Sequence, residues 1–139
     1  MHEIKIFKLL ILEDDLNALS QIFKRLGAWK DMSASLPQPV DFSCVVLSES
    51  RQIKKYLDLE QSSAFDVILL DRDCKAKESF HILNVNKFGA DKIIAISSVP
   101  EYNSQLKKRG VTRAVWKNYQ DLDKFADKVT AQIREIVCL

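Results

Sequence analysis

Glycine and proline are scarce in this sequence, with three of each in 139 residues. An all-β sandwich or barrel needs a turn signal about every eight to twelve residues, so so few turn formers exclude one. No apolar run exceeds the length of Leu9–Leu12, far short of the ~20 residues that cross a bilayer. The start, Met1-His2-Glu3-Ile4-Lys5, lacks the apolar stretch of a secretory leader, and a cytoplasmic protein with no membrane contact is expected. Cys44, Cys74 and Cys138 make neither an even disulfide set nor a CxxC pair, and they read as reduced thiols. His2 and His81 stand in no metal-ligand spacing and read as structural or solvated. Charge of one sign is missing too: 21 Lys and Arg face 19 Asp and Glu, scattered along the chain, so nucleic acid is not an expected partner.

What is present is apolar and periodic. With 47% hydrophobic and 29% charged residues, the chain can build a core, and its length suits a single domain over residues 1–139, with a core at about 6–137. The runs Phe7–Leu12, Cys44–Leu47, Phe65–Leu70 and Ile93–Ile96 predict strands buried on both faces, and Val111–Trp116 a fifth, weaker one. Helical spacing joins Leu16, Leu19, Ile22, Phe23 and Leu26, with Asp15 as N-cap and Gly27 as C-cap. Further helices are predicted around Ile53, Tyr56 and Leu57, around Phe80, Ile82 and Leu83, from Glu101 to Arg109 after Pro100, and from Asp121 to Val137. The segment 29–41, with Pro37 and Pro39, reads as a surface loop. Strand and helix alternate five times, which predicts an α/β fold: a flavodoxin-like, doubly wound, five-stranded parallel sheet in the order 2-1-3-4-5, with helices on both faces.

Ligands of such sheets lie beyond the carboxyl ends of the strands. There the first strand runs into Glu13-Asp14-Asp15, the third into Asp71-Arg72-Asp73, the fourth into Ser97-Ser98 and the fifth into Lys117. Carboxylates held together repel unless a cation neutralises them, and Mg2+ accepts two or three carboxylates while keeping waters that a phosphate oxygen can replace.

These residues carry a family likeness. The segments Leu9–Asp15, Phe65–Asp71, Ile93–Ser98 and Gly110–Lys117 resemble a response-regulator receiver domain of two-component signalling. The resemblance implies that Asp71 accepts a phosphoryl group from a phosphohistidine of a histidine kinase or phosphotransfer protein. It implies Mg2+ ligation by Glu13, Asp14 and Asp71 with the backbone carbonyl of Asp73. It also implies contacts of Lys117 and Ser97 with the phosphoryl oxygens. Phosphoryl transfer needs mainly positioning and charge neutralisation, which this set can supply. The module implied modifies itself rather than turning over a substrate. Little chain follows Val137, so it is expected to stand alone and signal through an effector protein, with the fourth helix, fifth strand and fifth helix as output or homodimer face.

Several positions depart from the family pattern. Lys75 and Ser79 stand where a proline and a glycine are usual, Ala114 where the switch aromatic is usual, and Asn118 where a proline follows the lysine. Trp116 would point to the opposite face of its strand from Lys117. Two other readings therefore stay open. One is a phosphorylation-independent pseudo-receiver that binds a partner. The other is an Mg2+-dependent phosphatase or Toprim-type enzyme, which would use the acidic residues without Ser97 and Lys117. Taken alone, Glu13-Asp14-Asp15 also reads as a solvated turn and helix cap, Ser97-Ser98 as a cap before Pro100, and Lys117 as an exposed lysine.

Overall fold

A computed structural model describes residues 3–58, 60–61, 63–73 and 79–138. His2, Cys74 and Lys75 lie outside the described residues. Five strands, β1 (Lys5–Leu12), β2 (Val40–Leu47), β3 (Val67–Leu70), β4 (Ile93–Ala95) and β5 (Arg113–Ala114), pair in parallel in the order β2-β1-β3-β4-β5. The helices are α1 (Leu16–Ser33), α2 (Arg51–Leu57), α3 (Val85–Phe88), α4 (Pro100–Lys107) and α5 (Leu122–Val137), with 3-10 turns at Phe80–Ile82 and Ala90–Lys92. The expected fold class and strand order are both present.

The sheet is buried from both sides, which is why β3 and β4 read as unbroken apolar runs. On one side, Leu9, Ile11, Val67, Leu69 and Ile94 pack against Leu19, Ile22 and Leu26 of α1 and Phe125, Val129 and Ile133 of α5. On the other, Leu10, Leu12, Ile68 and Leu70 meet Ile53 and Leu57 of α2, Phe88 of α3 and Leu106 of α4. The first pair of helices is long and the other three are short. Arg25 ties α1 to α5 through Asp123 (3.1 Å) and Asp127 (2.6 Å).

The structure corrects the expected loop at 29–41. Helix α1 does not stop at Gly27 but continues to Ser33, and β2 begins at Val40, so the loop is 34–39. Gly27 is not in the left-handed conformation of a C-cap, unlike Gly89 and Gly110. Trp29 gives the last turns of α1 their reason to form. It is buried, lies edge-on to Phe42 with centroids 5.0 Å apart, and carries the Arg134 guanidinium 4.0 Å above its ring. Ser33 then closes the corner by accepting the Val40 N–H at 2.9 Å. The expected second strand was too short because Asp41 and Ser43 hid the alternation of an edge strand. Other differences are smaller. Tyr56 and Ile82 are exposed rather than inward, the third helix is a 3-10 turn followed by α3, and β5 holds only two residues.

A methyl group added at Gly27 would meet nothing within 4 Å. Gly27→Ala is therefore expected to stabilise the protein by about 0.5–1 kcal/mol, read as a higher urea midpoint with an unchanged slope. Trp29→Ala, which opens a cavity under Phe7 and Phe42, is expected to cost about 3–5 kcal/mol in the same measurement.

Candidate functional site

Backbone hydrogen bonds continue past the strand ends and set the site residues side by side. Glu13 N–H donates to Leu47 C=O (3.3 Å), Asp71 N–H to Leu12 C=O (3.0 Å), Ile96 N–H to Leu70 C=O (3.1 Å) and Lys117 N–H to Ser97 C=O (3.2 Å). Glu13, Asp71, Ser97 and Lys117 are all buried at this edge. Lys117 Nζ donates to Glu13 Oε1 at 2.5 Å and to Asp71 Oδ2 at 2.7 Å. Each carboxylate takes a backbone donor on its other oxygen. Asp14 N–H reaches Glu13 Oε2 at 3.0 Å, and Arg72 N–H reaches Asp71 Oδ1 at 2.8 Å. One oxygen each from Glu13, Asp14 and Asp71 falls within 4.8 Å of the others.

The three carboxyl groups gathered here call for positive charge, and the Lys117 ammonium reaches two of them. Burial and the neighbouring Asp71 charge push the Glu13 carboxyl up to about 8, against the pull of Lys117. Burial alone would push the Lys117 ammonium down, but Glu13 and Asp71 outweigh it and hold it above its ordinary value. A divalent cation beside Glu13, Asp14 and Asp71 would meet this demand, and an all-oxygen donor set suits Mg2+ or Mn2+.

The remaining predicted residues fall around this centre. Ser97 is fully buried at the end of β4, and its Oγ accepts the Val99 N–H at 3.1 Å, a local turn rather than a cap on α4, whose N-cap is Val99. Asp15 caps α1, accepting the Ala18 N–H at 2.8 Å. The Asp73 side chain stands apart, exposed and paired with Arg72 Nη1 at 2.9 Å. Ala114 is exposed, and Trp116, also exposed, donates its indole N–H to Ser98 C=O at 2.9 Å.

Two residues of α4 escaped the sequence reading. Asn103 holds both the N–H and the C=O of Ser97 with its side-chain amide, at 2.9 and 3.2 Å. Tyr102 lies under the Arg72 guanidinium, 4.1 Å from ring centroid to carbon. The only signal for either was a polar helix after Pro100, and an asparagine eight residues past a strand end has no recognisable spacing.

No family model matches the chain, and no curated protein matches it. Solved structures do. The phosphorylated cyanobacterial phytochrome response regulator RcpA superposes with a TM-score of 0.64 at 17% identity, over 99% of this chain and 95% of that one. The Mn2+-bound response regulator Rcp1 gives 0.62 at 14% identity over 96% of each chain. The bacteriophytochrome response regulator AtBRR gives 0.56 at 16% identity over 95% and 93%. The chain has the receiver fold. The resemblance read from four sequence segments thus extends to the backbone over almost the whole length. At these identities it speaks for the receiver fold alone, and the chemistry has to be argued from the site.

Beside this site, His81 is half-buried, and its Nε2 has no hydrogen-bond partner among the described residues. Burial, then the Arg109 and Arg72 guanidiniums, push its pKa down from 6.5 to about 4, while Asp71 and Asp73 oppose them. The unfolded chain therefore binds a proton that the folded one refuses between these two values. The stability this contributes is present above pH 6.5 and is lost as pH falls towards 4. Urea midpoints measured from pH 7 to 4 are expected to fall less steeply in His81→Gln than in the parent.

Proposed function

We propose that this protein is a phosphoacceptor receiver, a signalling module that takes a phosphoryl group onto Asp71. One observation carries the reading: a fully buried lysine, Lys117, bridges Glu13 and Asp71 where Asp14 adds a third carboxyl group. A lysine placed so has a use beyond holding two carboxylates, because it can turn to an incoming anion. In the reaction, a carboxylate oxygen of Asp71 attacks phosphorus, the bond from phosphorus to the donor nitrogen of a phosphohistidine breaks, and imidazole leaves with the electron pair. Lys117 Nζ donates to a phosphoryl oxygen, and the Ser97 hydroxyl, whose hydrogen is not used by its contact with Val99, donates to another.

Mg2+ is the cation proposed, held by Glu13, Asp14 and Asp71 with the backbone carbonyl of Asp73. When bound, it neutralises the charge that builds on the phosphoryl oxygens. The partners that fit are a histidine kinase or phosphotransfer protein upstream and an effector protein downstream, in the cytoplasm. The surface of α4, β5 and α5 is the proposed effector or homodimer face.

A second reading has its own support. Ala114 puts no ring in the position where the family's switch aromatic stands, which favours a pseudo-receiver whose partner contact ignores phosphate. The burial of Lys117 between two carboxylates weighs against a Toprim-type or phosphatase site, which has no use for it.

Incubation with acetyl phosphate and Mg2+ followed by mass spectrometry is expected to add one phosphoryl group. Asp71→Asn and EDTA are each expected to abolish it, and Lys117→Ala to slow it by about 100-fold, as for loss of one preorganised charge donor. An unmodified parent protein, or an adduct that survives Asp71→Asn, overturns the proposal. Steady turnover of phosphate that survives Lys117→Ala points instead to the enzyme reading.

A further inference from the structure

The Ser97 hydroxyl can serve as a phosphoryl contact only if its backbone is held still, and beyond the strand ends the extended ladder reaches its carbonyl alone, through the Lys117 N–H at 3.2 Å. Strand β4 ends at Ala95, and the next strand, β5, has two residues and ends at Ala114. Beyond these ends a parallel sheet ordinarily frays into loop. Here both Ser97 peptide groups gain a partner from outside the sheet as well.

The holding group is Asn103, on the first turn of α4 and 7% exposed. Its Oδ1 accepts the Ser97 N–H at 2.9 Å, and its Nδ2 donates to the Ser97 C=O at 3.2 Å. The same carbonyl accepts the backbone N–H of Lys117 at 3.2 Å. One amide side chain thus completes both backbone groups of the residue bearing the hydroxyl and shares an acceptor with the residue bearing the ammonium. An asparagine is needed for this, because one end must accept while the other donates. Aspartate offers no donor when ionised, and leucine offers neither group.

Resting on the receiver reading above, we propose that Asn103 is a positioning residue for phosphoryl acceptance. It fixes the Ser97 hydroxyl and the Lys117 backbone relative to Asp71, and it makes the first turn of α4 a rigid extension of the site. It touches no reacting atom. The effect is geometric: reacting groups displaced by about 1 Å lose up to about a hundredfold in rate.

The test uses the full chain, acetyl phosphate and Mg2+, with the rate of phosphoryl gain followed by mass spectrometry. Asn103→Asp is expected to lower the rate by about ten- to a hundredfold at a pH where the new carboxyl is ionised. The ratio of variant to parent rate is expected to climb as pH falls and the carboxyl, once protonated, regains a donor. A residue that merely supported the fold would give no such recovery. Asn103→Leu is expected to stay slow at every pH, and circular dichroism of each variant separates slow from unfolded. If Asn103→Leu does not fold, the pH ratio of Asn103→Asp still decides. Equal rates for Asn103→Asp and parent across the pH range overturn the proposal.

Hydrogen exchange of the Ser97 amide, followed by NMR, reads the clamp without any phosphoryl group. The amide is expected to exchange faster in Asn103→Leu, which removes its acceptor, and unchanged exchange in that variant overturns the proposal as well. If the parent gains no phosphoryl group, the receiver reading fails by itself, and amide exchange still judges the clamp.

Discussion

The ion contact of Lys117 with Glu13 and Asp71 is the constraint to which the rest of the molecule answers. A buried ammonium without carboxylates, or two buried carboxylates without an ammonium, would each cost several kcal/mol, so none of the three can shift alone. They lie just past the ends of β1, β3 and β5, so the ends of these strands must lie at one level. The parallel register supplies that level: Leu12 stands opposite Leu70, and Leu70 opposite Ala95. A slip of one residue in any of these pairs would turn a site residue to the opposite face. An interaction often neutral for stability here specifies which strand ends meet.

The same charge group explains why the site looks built for more than itself. Its ammonium meets two carboxyl groups, and the third, Asp14, brings an oxygen within 4.8 Å of theirs. Burial first, and then the neighbouring Asp71 charge, raise the Glu13 carboxyl, so added positive charge here would be stabilising. Alongside it, position 114 offers no ring, while Asn103 and Tyr102 bring α4 into contact with Ser97 and Arg72.

Much of this was legible in the sequence, and what was not had physical reasons. Strands buried on both faces announce themselves as apolar runs, so β1, β3 and β4 and the residues at their ends could be read directly. Acidic and basic residues placed at those ends gave the site. Edge strand β2 was half missed, because Asp41 and Ser43 face outward on a strand with only one neighbour. Helix α1 was cut short at Gly27 because glycine more often ends a helix than continues one, and the packing of Trp29 that carries the helix onward is a tertiary contact. Asn103 was invisible for the same reason: its value lies in what is folded against it, and no local pattern marks a side chain that completes another segment's backbone.

The unequal helical layers have one more consequence. On one side of the sheet α1 and α5 are long, share an apolar seam and are tied by Arg25. On the other, the cover is made of helices of four to eight residues with 3-10 turns between them. Short helices bury little surface each and lose little by parting from the sheet, so the free energy of local opening is set lower on that side. The thin layer includes α4, the helix in contact with Ser97 and Arg72. Local opening is thus cheaper on this side, while the α1–α5 side acts as a keel that keeps the sheet in register.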